Sequence, residues 1–84
     1  MARDPQSVRD TIRGYVLRVL LPGESPDNLE DALSLKEAGI LDSMTTLDFV
    51  TFVEETYGIE IAPHEASGAF DRIDDIVDLV LQKS

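Results

Sequence analysis

Residues 42–58 read "DSMTTLDFVTFVEETYG", and this stretch decides the fold. Asp42 is a good N-cap, and Gly58 suits the left-handed position just past a helix end. At 100° per residue, Thr46, Phe49, Val50, Val53 and Tyr57 fall on one arc and are expected to face a core. Met44, Leu47, Asp48, Thr51 and Glu55 fall on the opposite side, with Phe52 and Glu54 at its margins. That outward face mixes apolar groups with carboxylates, a composition that suits recognition better than plain solvation.

Upstream, Asp4 and Pro5 form a helix start, because proline at the first position loses no hydrogen bond there. Val8, Ile12, Tyr15, Val16 and Val19 recur at helical spacing and are expected to form a buried stripe, until Pro22-Gly23 stops the helix near Leu20. Residues 22–41 make a long connection that Leu29, Leu33 and Leu35 can pin to the core, with a possible helical turn in "SLKEAG" ending at Gly39. Downstream, one helical turn is expected around Glu65 to Phe70. A last helix is expected from about Arg72 to Gln82, capped by Asp71, with Ile73, Ile76, Val77, Val80 and Leu81 inward and Asp74, Asp75 and Asp78 outward. No strand, repeat or low-complexity tract is visible. The expectation is a single all-α domain over residues 1–84, a bundle of three to four helices with a long loop between the first and second.

Composition narrows the function. The chain has 84 residues, 43% of them hydrophobic, and no cysteine, so a packed core must hold it together. No stretch approaches the roughly 18 uninterrupted apolar residues of a membrane span, and no secretion signal is visible at the N-terminus; a cytoplasmic monomer is expected. The net charge is −10, which opposes nucleic acid and anionic membranes and favours basic protein partners. The acidity is concentrated: residues 42–84 hold ten acidic and two basic side chains, residues 1–41 seven and five. Solubility alone is a sufficient explanation of such a bias.

Catalytic constellations are absent. His64 is the only histidine, without cysteine partners for zinc, and no G-x-S-x-G elbow surrounds Ser43 to support a Ser43–His64 hydrolase. The clusters "NLED" (28–31) and "DRIDD" (71–75) lack calcium-loop spacing and read as solvated faces. No enzyme activity, catalytic residue or metal site is expected. Ser43 remains. As the first residue of the helix capped by Asp42, its hydroxyl lies near free N–H groups and the positive dipole end, where a phosphate ester would be favoured. On these grounds it is equally an anchor for a phosphate or an assistant to the cap.

The stretch "AGILDSMTTLDFVTFVEETYGIEI" (38–61), with "FDRIDDIVDLV" (70–80) as a closing helix, resembles the attachment region of acyl carrier proteins. The likeness extends over essentially the whole chain, since the first helix and long loop have the family's lengths. It implies a four-helix carrier with no catalysis of its own, bearing 4′-phosphopantetheine from coenzyme A on Ser43, with Asp42 as its motif neighbour. A phosphopantetheinyl transferase would attach the arm, the magnesium belonging to that enzyme. The arm's thiol would then hold an acyl or aminoacyl group as a thioester, importing the reactive sulfur that a chain without cysteine lacks. Met44, Leu47, Asp48, Thr51, Glu54 and Glu55 match the family's recognition face, which would meet basic patches on the loading enzyme and downstream synthases or transferases. Carriers of fatty-acid synthesis usually read D-S-L, and peptide-synthetase domains G-G-x-S. "GILDSM" followed by "FDR" is closer to stand-alone carriers, including the D-alanyl type. The cargo, whether fatty acyl, polyketide, amino acid or D-alanine, stays open. The competing reading is a small acidic helical interaction module that is never modified.

Overall fold

Aromatic side chains show how the helices meet. In the computed structural model, which describes residues 4–83, the Tyr15 ring stacks on Phe49 at 4.7 Å and on Phe52 at 4.5 Å. Phe49 in turn meets Phe70 edge-on at 5.4 Å. These contacts join α1 (Pro5–Tyr15), α2 (Ser43–Tyr57) and the residue that closes α3 (Pro63–Ala69); α4 (Ile73–Lys83) packs against α1 and α3. The architecture is an all-α bundle of four helices, with no strand among the described residues and the expected long loop between α1 and α2.

The first helix starts where the sequence places it. Asp4 accepts the N–H of Gln6, Pro5 opens the helix, and Val8, Ile12, Tyr15 and Val16 are buried. Its end differs from expectation. Val16–Leu20 widens into a π-helical turn, closed by the Leu21 N–H on the Val16 carbonyl at 2.8 Å. The wider turn slips the helical register, so Val19, expected on the buried stripe, stands 55% exposed while Leu17, Leu20 and Leu21 pack against the core.

The long loop is tied down in two places. Leu29 and Leu35 are buried and Leu33 is half-buried, as the sequence indicates. At one tie, Arg9 bridges Asp31 (2.6 Å) and Asp74, while Arg13 pairs with Asp31 and donates to the carbonyls of Leu29 (2.7 Å) and Pro26 (2.8 Å). At the other, the Asp71 carboxylate accepts the Ser34 hydroxyl at 2.8 Å and the Lys36 N–H at 3.0 Å. Two expectations are thereby corrected. Asp71 does not cap the last helix with its side chain: that carboxylate serves the loop, and the N–H of Asp74 is taken by the Asp31 carbonyl at 3.1 Å. The clusters at 28–31 and 71–75 are not simply solvated either, because Asp31, Asp71 and Asp74 are half-buried tertiary partners.

Two further differences concern the C-terminal half. Instead of a single turn, α3 runs Pro63–Ala69, supported by Pro63 at its first position and by Glu65, whose carboxylate accepts the Ala62 N–H at 2.9 Å. Lys83 pairs with the same Glu65 at 2.9 Å and joins the ends of α3 and α4. In α4, Ile73, Ile76, Val77 and Val80 are buried as expected. Contact with both α1 and α3 widens the buried arc to include Leu79, leaving Leu81 half-buried.

Asp31 gives this arrangement a pH dependence. Partial burial alone would raise its carboxyl, but the hydrogen bonds from Arg13 and Arg9 outweigh that and hold it below the ordinary carboxylate value. A depressed folded-state value contributes stability that is complete above the unfolded value of about 3.9 and is lost as pH falls through the folded one. Replacement of Asp31 by Asn is therefore expected to cost about 1–3 kcal/mol at neutral pH. It should also flatten the acid limb, leaving the parts due to Asp71, Asp42 and Glu65, whose carboxyls are lowered in the same sense. Urea midpoints measured from neutral pH down to about 3 check both features; equal acid slopes in the two proteins would contradict the assignment.

Candidate functional site

The serine at the start of α2 is positioned from both sides. Before it, the loop turns sharply: the N–H groups of Ile40 and Leu41 both reach the Leu35 carbonyl, at 2.8 and 3.1 Å. Gly39 takes a positive φ of 77° that a residue with a Cβ would adopt only with strain. This turn sends Leu41 into the core, 4% exposed, and leaves Asp42 at the helix start with extended backbone. After it, α2 runs on to Gly58 in the left-handed conformation, φ 64°, so both ends lie where the sequence puts them.

The cap at Asp42 is complete without Ser43. The Asp42 carboxylate accepts the Thr45 N–H at 2.9 Å, and the Thr45 hydroxyl accepts the Asp42 N–H at 2.8 Å, a reciprocal box. Those bonds, first from the Thr45 N–H and then from its hydroxyl, hold the Asp42 carboxyl below its usual value and keep it ionised at neutral pH. Ser43 is exposed and its hydroxyl makes no hydrogen bond, so it takes no part in the cap. The anchoring role of Thr45 escaped sequence reasoning. The signal was there, since it stands three residues after Asp42, but the pattern usually expects Glu or Gln at that position.

Most of the outward face is where its angular positions place it. Met44 is 73% exposed and Leu47 66%, and Asp48, Thr51 and Glu55 are exposed beside them. Thr51 turns its hydroxyl back to donate to the Leu47 carbonyl at 3.0 Å. Glu54, at the margin, is half-buried, and its carboxylate accepts the Ile61 N–H at 2.9 Å to fix the turn after α2. On the inward side Phe49, Val50 and Val53 are buried, with Thr46 and Tyr57 half-buried; Phe52, expected at the margin of the outward face, is half-buried because its ring stacks on Tyr15.

A groove of about 560 Å³ opens beside Ser43. Leu41, Thr46 and Leu47 form one side, Pro63 and Ala66 of α3 the other, with Asp42, Ser43, Lys36 and Ser67 at its edges. Its surface is mainly apolar, and Ser43, itself exposed, stands at its edge. His64 is exposed, and no hydrogen bond links it to Ser43. Among the described residues no cluster of His, Cys, Asp and Glu is placed to hold a metal ion, and no helix is long and apolar enough to cross a membrane. The site thus offers an accessible, unpaired hydroxyl at a helix start, a carboxylate next to it, and an apolar-and-acidic helix face adjoining. No protein-family model matches the chain, and the search of curated proteins finds no match.

Proposed function

We propose that the chain is a free-standing carrier protein, holding acyl or aminoacyl intermediates as thioesters on a 4′-phosphopantetheine arm attached to Ser43. The observation that carries this reading is the free Ser43 hydroxyl at a helix start whose cap is already satisfied by Asp42 and Thr45. A hydroxyl needed for the cap would be occupied in the fold. This one is available to a second protein. In the transfer, the Ser43 oxygen forms a bond to the phosphorus that bears pantetheine, the pyrophosphate bond of coenzyme A breaks, and the adenosine bisphosphate leaves. The base that takes the serine proton belongs to the transferase, because no basic side chain of the carrier is bonded to Ser43. The test is incubation of the unmodified protein with coenzyme A and a broad phosphopantetheinyl transferase, followed by intact-mass analysis. Addition of one phosphopantetheine supports the proposal; an unchanged mass supports the unmodified interaction module instead.

Partner docking follows from the same face. Asp48 and Glu55 supply exposed charge, and Met44 and Leu47 supply apolar contact, Met44 being the more adaptable of the two. Basic residues around the active sites of the transferase, the loading enzyme and the downstream synthase would meet those carboxylates during encounter. Screening shortens such attraction to about 8 Å at physiological ionic strength. The apparent KM of the loading enzyme for this protein is therefore expected to rise with salt, and to rise less steeply for Asp48→Asn. A salt-independent KM would remove the carboxylates from recognition.

A further inference from the structure

Two charged side chains border the groove beside Ser43, and one of them has donors to spare. The Asp42 carboxylate is committed to the N–H and hydroxyl of Thr45. Lys36 comes from the loop on the other side. Its backbone N–H is fixed by Asp71 at 3.0 Å, and its Nζ reaches α3 to donate to the Ser67 carbonyl at 2.7 Å. An ammonium carries three N–H donors, and this bond uses one. Among the described residues Arg9, Arg13 and Lys83 each sit in an ion pair, whereas Lys36, like Arg18 and Arg72, has no carboxylate within ion-pair distance, and of these three only Lys36 borders the groove. In a chain of net charge −10, this cation stands unpaired at the edge of the groove that Ser43 shares.

We infer that Lys36 is the internal counterion of a phosphodiester formed on Ser43, and that it draws the first atoms of the attached arm toward α3 rather than leaving them in free solvent. The inference rests on the reading of Ser43 as the attachment point. A phosphodiester adds one negative charge beside Asp42, in the more acidic half of the chain. An ammonium already tethered to α3 at the groove can keep the Ser67 carbonyl and give its remaining donors to phosphate oxygens. Much of the side-chain ordering that a loose surface lysine would undergo on binding is already in place. The Asp71 bond to the Lys36 backbone makes the loop a fixed base for this reach. Lys36 acts in this scheme as a positioning residue, without touching the thioester.

The test uses wild type, Lys36→Gln and Lys36→Arg, each converted with coenzyme A and transferase and checked by intact mass. Phosphorus NMR then reads the phosphodiester directly, a signal that a purely structural role for an exposed lysine would not move. At low salt the wild-type resonance is expected to be shifted and broadened relative to Lys36→Gln, with Lys36→Arg restoring most of the shift. At high salt the wild-type resonance should collapse onto that of Lys36→Gln. Identical resonances in all three modified proteins at low salt would overturn the role of Lys36 while leaving Ser43 as the attachment point. Absence of the added mass in wild type would overturn both.

Discussion

Ser43→Ala is expected to abolish phosphopantetheine attachment completely while leaving the fold and its stability nearly unchanged. The hydroxyl makes no hydrogen bond and the side chain is exposed, so its removal orphans no partner. Alanine is also a better helix former than serine, by a few tenths of a kcal/mol. The melting temperature of the variant should therefore match or slightly exceed that of wild type, with an identical helical circular dichroism spectrum. Thr45→Ala is the contrasting control. It breaks the reciprocal box with Asp42 and should cost about 1 kcal/mol, yet the hydroxyl of Ser43 remains to be modified. Added mass that persists in Ser43→Ala would place the attachment elsewhere.

Phe49→Ala is expected to produce the largest loss of stability, about 3–5 kcal/mol. Phe49 is fully buried, stacked on Tyr15 and edge-on to Phe70, so truncation opens a cavity between three elements at once. A domain of this length has only about 4–13 kcal/mol of total stability, so the variant should unfold at a much lower urea concentration or be partly unfolded in buffer. Tyr15, whose phenol is pushed above its usual value first by burial and then by the charge of Asp48, would lose one of its two stacking partners and keep Phe52. A urea midpoint shift equivalent to less than about 1.5 kcal/mol would mean that the surrounding side chains collapse into the space, as the spread among core truncations allows. The two variants separate two ways of losing the proposed carrier function: one removes the proposed attachment atom from an intact fold, the other removes the fold that presents it.

The features legible in the sequence were those with short-range causes. Asp42 and Gly58 bound α2, and the 100° spacing of Phe49, Val50 and Val53 gave its buried arc, because caps and helical phase depend on residues within one or two turns. Long-range pairing was not legible. Asp31, Asp71 and Asp74 look like solvent-facing carboxylates until the fold brings Arg9, Arg13, Ser34 and Lys36 to them, from 18 to 65 residues away. The π-helical turn at Val16–Leu20 also has no local signature, being set by how the end of α1 must turn to place Leu17, Leu20 and Leu21 against the core. At the site, the position of Ser43 could be read from helix phase. Its freedom from the cap could not, because that depends on Thr45 closing the box.

The central claim concerns one atom, the Ser43 hydroxyl oxygen, and peptide-level mass spectrometry of protein purified from its own cells addresses it most directly. The account predicts a peptide spanning Ser43 that carries phosphopantetheine, released as a fragment whose mass also reports any acyl or aminoacyl cargo. A Ser43 peptide that is wholly unmodified, both as purified and after exposure to coenzyme A and transferase, would contradict it.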